Sequence, residues 1–316
     1  AAVEFDLAGK SHTVRVNREV LLCGGAINSP QLLMLSGIGP ADHLREHGIT
    51  PLYDRPQVGQ NLQDHATLVL QWQCREPVSM QHAANPLHQA VAGMQWLVSK
   101  TGLATTNIWE AGGLIRGNER VKYPNLQYHF GPVGFTAEGG NLTLSQGFTL
   151  HVDLLRPESR GQVRLQSANP ADKPTMQFNY LSHQHDVTEL VEGVHKARDL
   201  VAQPAFDRFR GEEVILGKDA RSDADIARAI RSISETDYHP CGTCRMGTDE
   251  DSVVDEELQV RGVDGLRVVD ASVIPQIISA NLNAPVQMIA ARAADFVLQK
   301  PQRSGEKARF HFNEIA

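Results

Sequence analysis

Val20-Leu21-Leu22-Cys23-Gly24-Gly25-Ala26-Ile27-Asn28-Ser29-Pro30-Gln31-Leu32-Leu33-Met34-Leu35 is the stretch whose reading decides the fold class. Val20 to Cys23 is a short, unbroken apolar run, the pattern of a buried parallel strand. Gly24-Gly25 interrupts it. Ser29 followed by Pro30 reads as a helix start, with a capping residue before a proline at the first helical position. Gly37-Ile38-Gly39-Pro40 stops that helix. Strand, Gly-Gly turn and helix N-terminus suit an anion, because the first N–H groups of a helix lack internal partners and glycine permits close approach.

Upstream, Val3-Glu4-Phe5-Asp6-Leu7 and His12-Thr13-Val14-Arg15-Val16 alternate apolar and polar residues around a turn at Ala8-Gly9-Lys10-Ser11. This predicts a β-hairpin. Downstream, Asp42 to His47 reads as a short helix and Gly59-Gln60-Asn61-Leu62-Gln63-Asp64-His65 as a polar loop. Strand patterns then dominate: Ala66 to about Met80, Leu126–Phe130, Phe148–Val152 and Gly161–Leu165 predict a mostly antiparallel sheet. Asp186-x-x-Glu189 and Ser222-x-x-Asp225 each open a helical pattern, the second with Ile226, Ile230 and Ile233 on one face. Leu266–Asp270 reads as a strand closing in Ala271-Ser272, and Asn283 as the cap of a helix running to about Leu298 with Pro285 in its first turn. The order is α/β, then a sheet-rich block with helices, then α/β again. One domain is expected to be interrupted by another: residues 1–66, then 67–235 as the insertion, then a return over 236–300, and a polar, frayed tail over 301–316.

The composition sets outer limits. The 316 residues carry 30 Lys+Arg and 37 Asp+Glu, a formal charge of −7, with 41% hydrophobic and 21% charged residues. That is a globular profile, with roughly 100–200 residues per domain predicting two domains. Mild acidity argues against nucleic acid as a partner. No apolar run approaches the ~20 residues of a membrane span, and the first residues lack the pattern of a secretion signal. Four cysteines are too few for a disulfide framework, which points to a reducing compartment. No G-x-G-x-x-G or Walker-type loop occurs; Gly37-Ile38-Gly39 is followed by Pro40-Ala41-Asp42.

Two motifs invite chemistry and receive plainer readings. Cys241-Gly242-Thr243-Cys244 could be a redox pair or half a zinc site, but no second pair completes it, so the thiols read as loop packing. His43-Leu44-Arg45-Glu46-His47 fits H-x-x-E-H, yet no third ligand is evident and a solvated helix face is expected. His183 and His185 read as surface residues. Tyr238-His239-Pro240 differs: His239 is held extended by the following proline, and downstream lie the strand end at Asp270 and the helix opening at Asn281-Leu282-Asn283-Ala284-Pro285.

Taken together, these residues resemble the glucose–methanol–choline flavin oxidoreductases. Gly25 to Gly39 is similar to one of that family's signatures, Val58 to His65 to its next landmark, and Tyr238 to Gly247 and Gly265 to Pro285 to its C-terminal landmarks. Within the family, Asn107 to Gly113, Pro124 to Phe130 and Ser159-Arg160-Gly161 resemble the choline dehydrogenase branch. Pro285-Val286-Gln287 and Ala290-Ala291-Arg292 depart from that branch's usual wording. The resemblance implies an incomplete FAD-binding, Rossmann-like domain (1–66 and 236–300) and a substrate domain (67–235). It implies FAD as cofactor and a small alcohol, choline foremost, as substrate, oxidised to its aldehyde by hydride transfer.

The resemblance also assigns roles. His239 and Asn281 are the catalytic pair, and Glu110 holds the substrate's quaternary ammonium, although a structural ion pair is the plainer reading of that residue. Gly24, Gly25, Asp270, Ala271, Asn283 and Pro285 contact the cofactor, and no metal is implied. The family's N-terminal half, with its dinucleotide fingerprint, has no counterpart here, so the chain is expected to be the C-terminal portion of a longer flavoenzyme. Two alternatives stand beside choline oxidation: a family member acting on an uncharged primary alcohol, and an inactive fragment or module that needs a partner chain. The expected location is cytoplasmic, free or at a membrane surface. The electron acceptor stays open.

Overall fold

The hairpin forms where its alternation predicts, as the antiparallel strands Ala2–Leu7 and Lys10–Arg15 joined by Ala8 and Gly9, both at positive φ. In the computed structural model, which describes residues 2–138, 141–217, 220–301 and 305, the chain divides into two units. The first holds residues 2–64, 157–182 and 238–301, and the second residues 65–156 and 183–237. The tail expected from Gln302 lies outside the described residues apart from Gly305.

In the first unit, Val20–Leu22 runs parallel to Leu266–Val268, and Ile38–Gly39 runs parallel to Tyr53–Asp54. Gln162–Arg164 pairs antiparallel with Thr175–Gln177, so this segment belongs here and not to the sheet-rich block expected over 67–235. The Val20–Leu22 strand is less buried than its apolar run suggests. It pairs with a single strand, and Leu21 is exposed.

The helix predicted from Ser29 begins four residues earlier, at Gly25, and runs to Leu35. Pro30 therefore sits inside it. A proline has no N–H to give the carbonyl four residues back, which is Ala26, and that oxygen instead accepts the Thr243 hydroxyl at 2.6 Å. Leu33 and Met34 of this helix pack with Leu44, Val58, Leu165, Val254, Val268 and Ile277 in one core. The last helix spans Asn283–Val297, and Leu282, not Asn283, is its cap residue.

The second unit is built on a six-stranded antiparallel sheet in the order Arg210–Ile215, Ala66–Cys74, Gly147–Leu154, Leu126–Gly131 and Ala111–Ile115, with Glu235–Thr236 also pairing with Ala66–Cys74. Register puts Leu68, Leu70, Leu126, Tyr128, Leu150 and Val152 on one face. These residues are buried, and the helix Gln184–Val201 packs on that face through Val187, Leu190, Val191 and Val194. The approach is close enough that a Cβ on Gly193 would stand 2.7 Å from a Val152 methyl. This helix starts two residues before the predicted Asp186, with the His183 ring accepting the His185 N–H. Asp186 and Glu189, whose spacing resembles a capping box, form none, since His183 is the cap; the helix Asp223–Ile233 starts after Ser222 as predicted, with Ser222 and Asp225 forming a capping box, and buries Ile226 and Ile230.

Candidate active site

The polar loop Gly59 to Asp64 organises the site in the first unit. Gly59 has φ +82°, and a Cβ there would sit 2.2 Å from the Val163 carbonyl oxygen, so only glycine fits. Backbone bridges then fix the loop on two sides: Leu62 pairs with Gly161, and Gln63 exchanges N–H···O bonds with Cys241 at 3.0 and 2.9 Å. Its side chains reach further. Asn61 Nδ2 donates to Gly242 O and Pro275 O. Gln63 Nε2 donates to Pro275 O at 3.2 Å, and its Oε1 accepts the Ile277 N–H at 3.1 Å. The buried Asp64 accepts the His239 N–H at 2.9 Å on one oxygen and the Tyr180 hydroxyl at 2.5 Å on the other.

Two chain segments, around 239–242 and 275–277, are thereby tied to one loop. The outcome is that Asn281 Nδ2 lies 3.2 Å from His239 Nε2. With the amide donating, the imidazole nitrogen presents a lone pair, the arrangement of a base next to a hydrogen-bond donor. Tyr238, just before the histidine, is exposed and has φ +61°, a left-handed backbone that residues with a Cβ adopt uncommonly. Sequence reasoning named His239 and Asn281 but gave no role to Gln63, Asp64 or Tyr180. The unusually polar wording of 59–65 was the available signal.

The remaining residues of the first unit divide into two groups. Asp270 is buried, and its carboxylate accepts the Gly25 N–H (2.9 Å), the Ser29 hydroxyl (2.5 Å) and the Ser272 N–H (2.8 Å). It therefore caps the Gly25–Leu35 helix from a distance, an acidic group at the positive end of the dipole. Gly24 donates to Ser29 Oγ, and the Ala271 carbonyl accepts the Gly242 N–H at 3.2 Å. Asn283 and Pro285 lie in the first turn of the last helix, where no side chain caps the N–H groups; Asn283 is exposed and accepts from Gln287 at 2.7 Å. An uncapped 15-residue helix start suits negative charge.

In the second unit Glu110 is exposed at the entry to the strand Ala111–Ile115. Ile108, two residues earlier, has φ +71°, a rare state for a β-branched residue. Trp109 lies over Gly131, where a Cβ would be 2.4 Å from the indole, and its ring meets His151 edge-on at 4.5 Å. The polar face of the sheet carries His129, whose Nε2 is 3.1 Å from the fully buried Asp153, which also accepts the Thr67 hydroxyl at 2.5 Å. The Asp153 hydrogen bond raises the His129 pKa, and burial lowers that of His151. Sequence reasoning passed over both histidines. Their signal was polar residues in phase on the predicted strands, Gln127 with His129 and Thr149 with His151 and Asp153.

The two decoy motifs are resolved by burial. Cys241 and Cys244 are free thiols without solvent exposure, and burial pushes the Cys241 pKa up to about 12 and that of Cys244 upward as well. Neither is a thiolate near neutrality. His43 corrects the expected solvated face: it is buried, and its Nε2 accepts the Leu165 N–H at 3.0 Å. Among the described residues no helix is long and apolar enough to cross a membrane.

Two sequence profiles described as GMC oxidoreductase match residues 1–67 and 157–290. An oxygen-dependent choline dehydrogenase from Cronobacter sakazakii is 46% identical over 292 residues, 92% of this chain and 52% of that protein. The chain belongs to the GMC oxidoreductase family. A second relative with the same name, from Brucella ovis, is 45% identical over 94% of the chain and 54% of its own length. The chain thus spans about half the length of the curated relatives it matches. Among solved family folds, an Aspergillus oryzae formate oxidase studied for FAD modification superimposes with a TM-score of 0.85 at 27% identity, over 92% of this chain and 56% of that one. Pyridoxine 4-oxidase from Mesorbium loti gives 0.79 at 28%, over 95% and 55%. GMC membership accounts for the mixed α/β layout of both units.

Proposed function

We propose that the protein containing this chain is an FAD-dependent alcohol oxidoreductase and that choline is its substrate. The contact of 3.2 Å between His239 Nε2 and Asn281 Nδ2 carries the reading. Choline as the substrate is supported by the relatives' names and by the exposed Glu110, which follows Trp109 in the sequence. A quaternary ammonium donates no hydrogen bonds, and a carboxylate with aromatic faces suits such a cation.

The donor set fits a flavin in part. The uncapped start of the Asn283–Val297 helix, with Asn283 and Pro285 in its first turn, is where the anionic edge of the reduced ring would be held. Gly24, Gly25 and Ala271 lie at the end of a parallel strand pair, where α/β folds place ligands, with the two glycine N–H groups already donating to Ser29 and Asp270 and leaving room for close approach rather than free donors. Asp270 itself, already accepting three protein donors, shapes that turn and would repel a pyrophosphate oxygen. When bound, FAD accepts the hydride that an alcohol carbon releases as it becomes a carbonyl. The Asn281 amide would have to turn from His239 Nε2 to the alcohol oxygen, which frees the single lone pair of that nitrogen to take the hydroxyl proton while the amide steadies the oxygen as its charge grows.

The test is His239→Ala in the FAD-loaded protein. Flavin bleaching by choline should slow about 10²–10⁴-fold with FAD content unchanged. A wild-type rate overturns the assignment.

A further inference from the structure

We propose that Asp64 is a positioning residue, which together with Tyr180 sets His239 at its working distance from Asn281; this rests on the role given to His239 above. Asp64 is buried, and a buried carboxylate persists only where donors meet it. Its donors include the backbone N–H of His239, at 2.9 Å, and the Tyr180 hydroxyl, at 2.5 Å. Both oxygens are thus engaged, one by the residue that moves the proton and one by a phenol that fixes the carboxylate's rotation.

The geometry around His239 needs such a clamp. Tyr238 holds a left-handed backbone at φ +61°, and Pro240 lacks an N–H, so the His239 N–H lies between a strained residue and one with nothing to donate. Gln63, next in sequence to Asp64, grips the other arm through Pro275 O and the Ile277 N–H, four residues before Asn281. One dipeptide therefore ties down both partners of the pair. Charge-assisted hydrogen bonds of this kind are the stronger and more geometrically exact ones. Loss of the clamp lets the imidazole drift, and a displacement of about 1 Å is worth about 10²-fold in rate. Substrate binding should not follow, because Asp64 acts on the position of the proton acceptor and not on the group that anchors the alcohol.

The experiment compares Asp64→Ala, Asp64→Asn and Tyr180→Phe with His239→Ala in the FAD-loaded protein. Flavin reduction at saturating choline should fall about 10–100-fold in Asp64→Ala with the half-saturating concentration nearly unchanged. Asp64→Asn, which keeps an acceptor for the His239 N–H, should recover much of the rate, and Tyr180→Phe should lose less than Asp64→Ala. Independently of turnover, the His239 amide should exchange with deuterated solvent about tenfold faster in Asp64→Ala. If Asp64→Ala fails to fold, Tyr180→Phe decides: a wild-type rate and wild-type amide exchange overturn the proposal. If His239→Ala is inactive while Asp64→Ala reduces flavin normally, the clamp is wrong and the catalytic reading stands. A fully active His239→Ala removes the catalytic reading itself.

Discussion

His43 shows how much a single ring nitrogen settles. Its Nε2 accepts the Leu165 N–H at 3.0 Å in a buried position, so the ring must keep that nitrogen unprotonated. Burial accordingly lowers its pKa from 6.5, with Arg164 acting in the same direction. In the unfolded chain the ring protonates near 6.5, whereas in the folded protein it resists. The stability it contributes is complete above pH 6.5 and is lost as pH falls below that value toward the depressed folded pKa. The half-buried His151 acts with the same sign and His129, raised by Asp153, with the opposite sign, so the clean comparison is with a variant. His43→Gln keeps an acceptor for Leu165 without titrating. In urea titrations at pH 7.5 and 5.5 the variant should lose less stability on acidification than the wild type; equal losses would show that folding does not lower the His43 pKa.

At the scale of elements, what the sequence revealed and what it hid divide by distance along the chain. The hairpin at 2–15, the helix start at Ser222 and the strands at 126 and 147 are local patterns, and all formed, whereas the capping-box spacing of Asp186 and Glu189 did not become one. His239 and Asn281 were legible because their wording resembled a family. The helix Gly25–Leu35 was misjudged because its cap comes from Asp270, 245 residues away, while Ser29-Pro30 gave a convincing local start signal. The Asp64–His239 bond, spanning 175 residues, was invisible for the same reason. The Pro30 defect is likewise repaired from afar, by Thr243 donating to Ala26 O. Thr243→Val should leave that buried carbonyl without a donor and cost about 1–3 kcal/mol, whereas Thr243→Ser should cost less. The readout is the urea midpoint at constant m-value. An unchanged midpoint in Thr243→Val would mean that the helix tolerates its proline unaided.

At the scale of the whole molecule, the residues given chemistry fall in different units. His239 and Asn281 lie in the first, on the loop and helix approach fixed by Gln63 and Asp64, while Glu110 lies in the second, at the edge of the antiparallel sheet. On the roles proposed above, proton transfer belongs to His239 and substrate choice to Glu110, so variants of the two residues should fail in different ways. Glu110→Gln removes a charge but keeps shape, and should raise the half-saturating concentration of choline about tenfold or more. A neutral alcohol of the same shape, with carbon in place of the ammonium nitrogen, gains nothing from a carboxylate and should be hardly affected. His239→Ala should slow both substrates alike, because the hydroxyl proton must leave in either case. Steady-state kinetics of the two variants on the two alcohols therefore form a square with one distinctive corner. Equal losses of both substrates in Glu110→Gln would remove the cation anchor and favour an uncharged alcohol as the natural substrate, and the role of His239 would stand untouched.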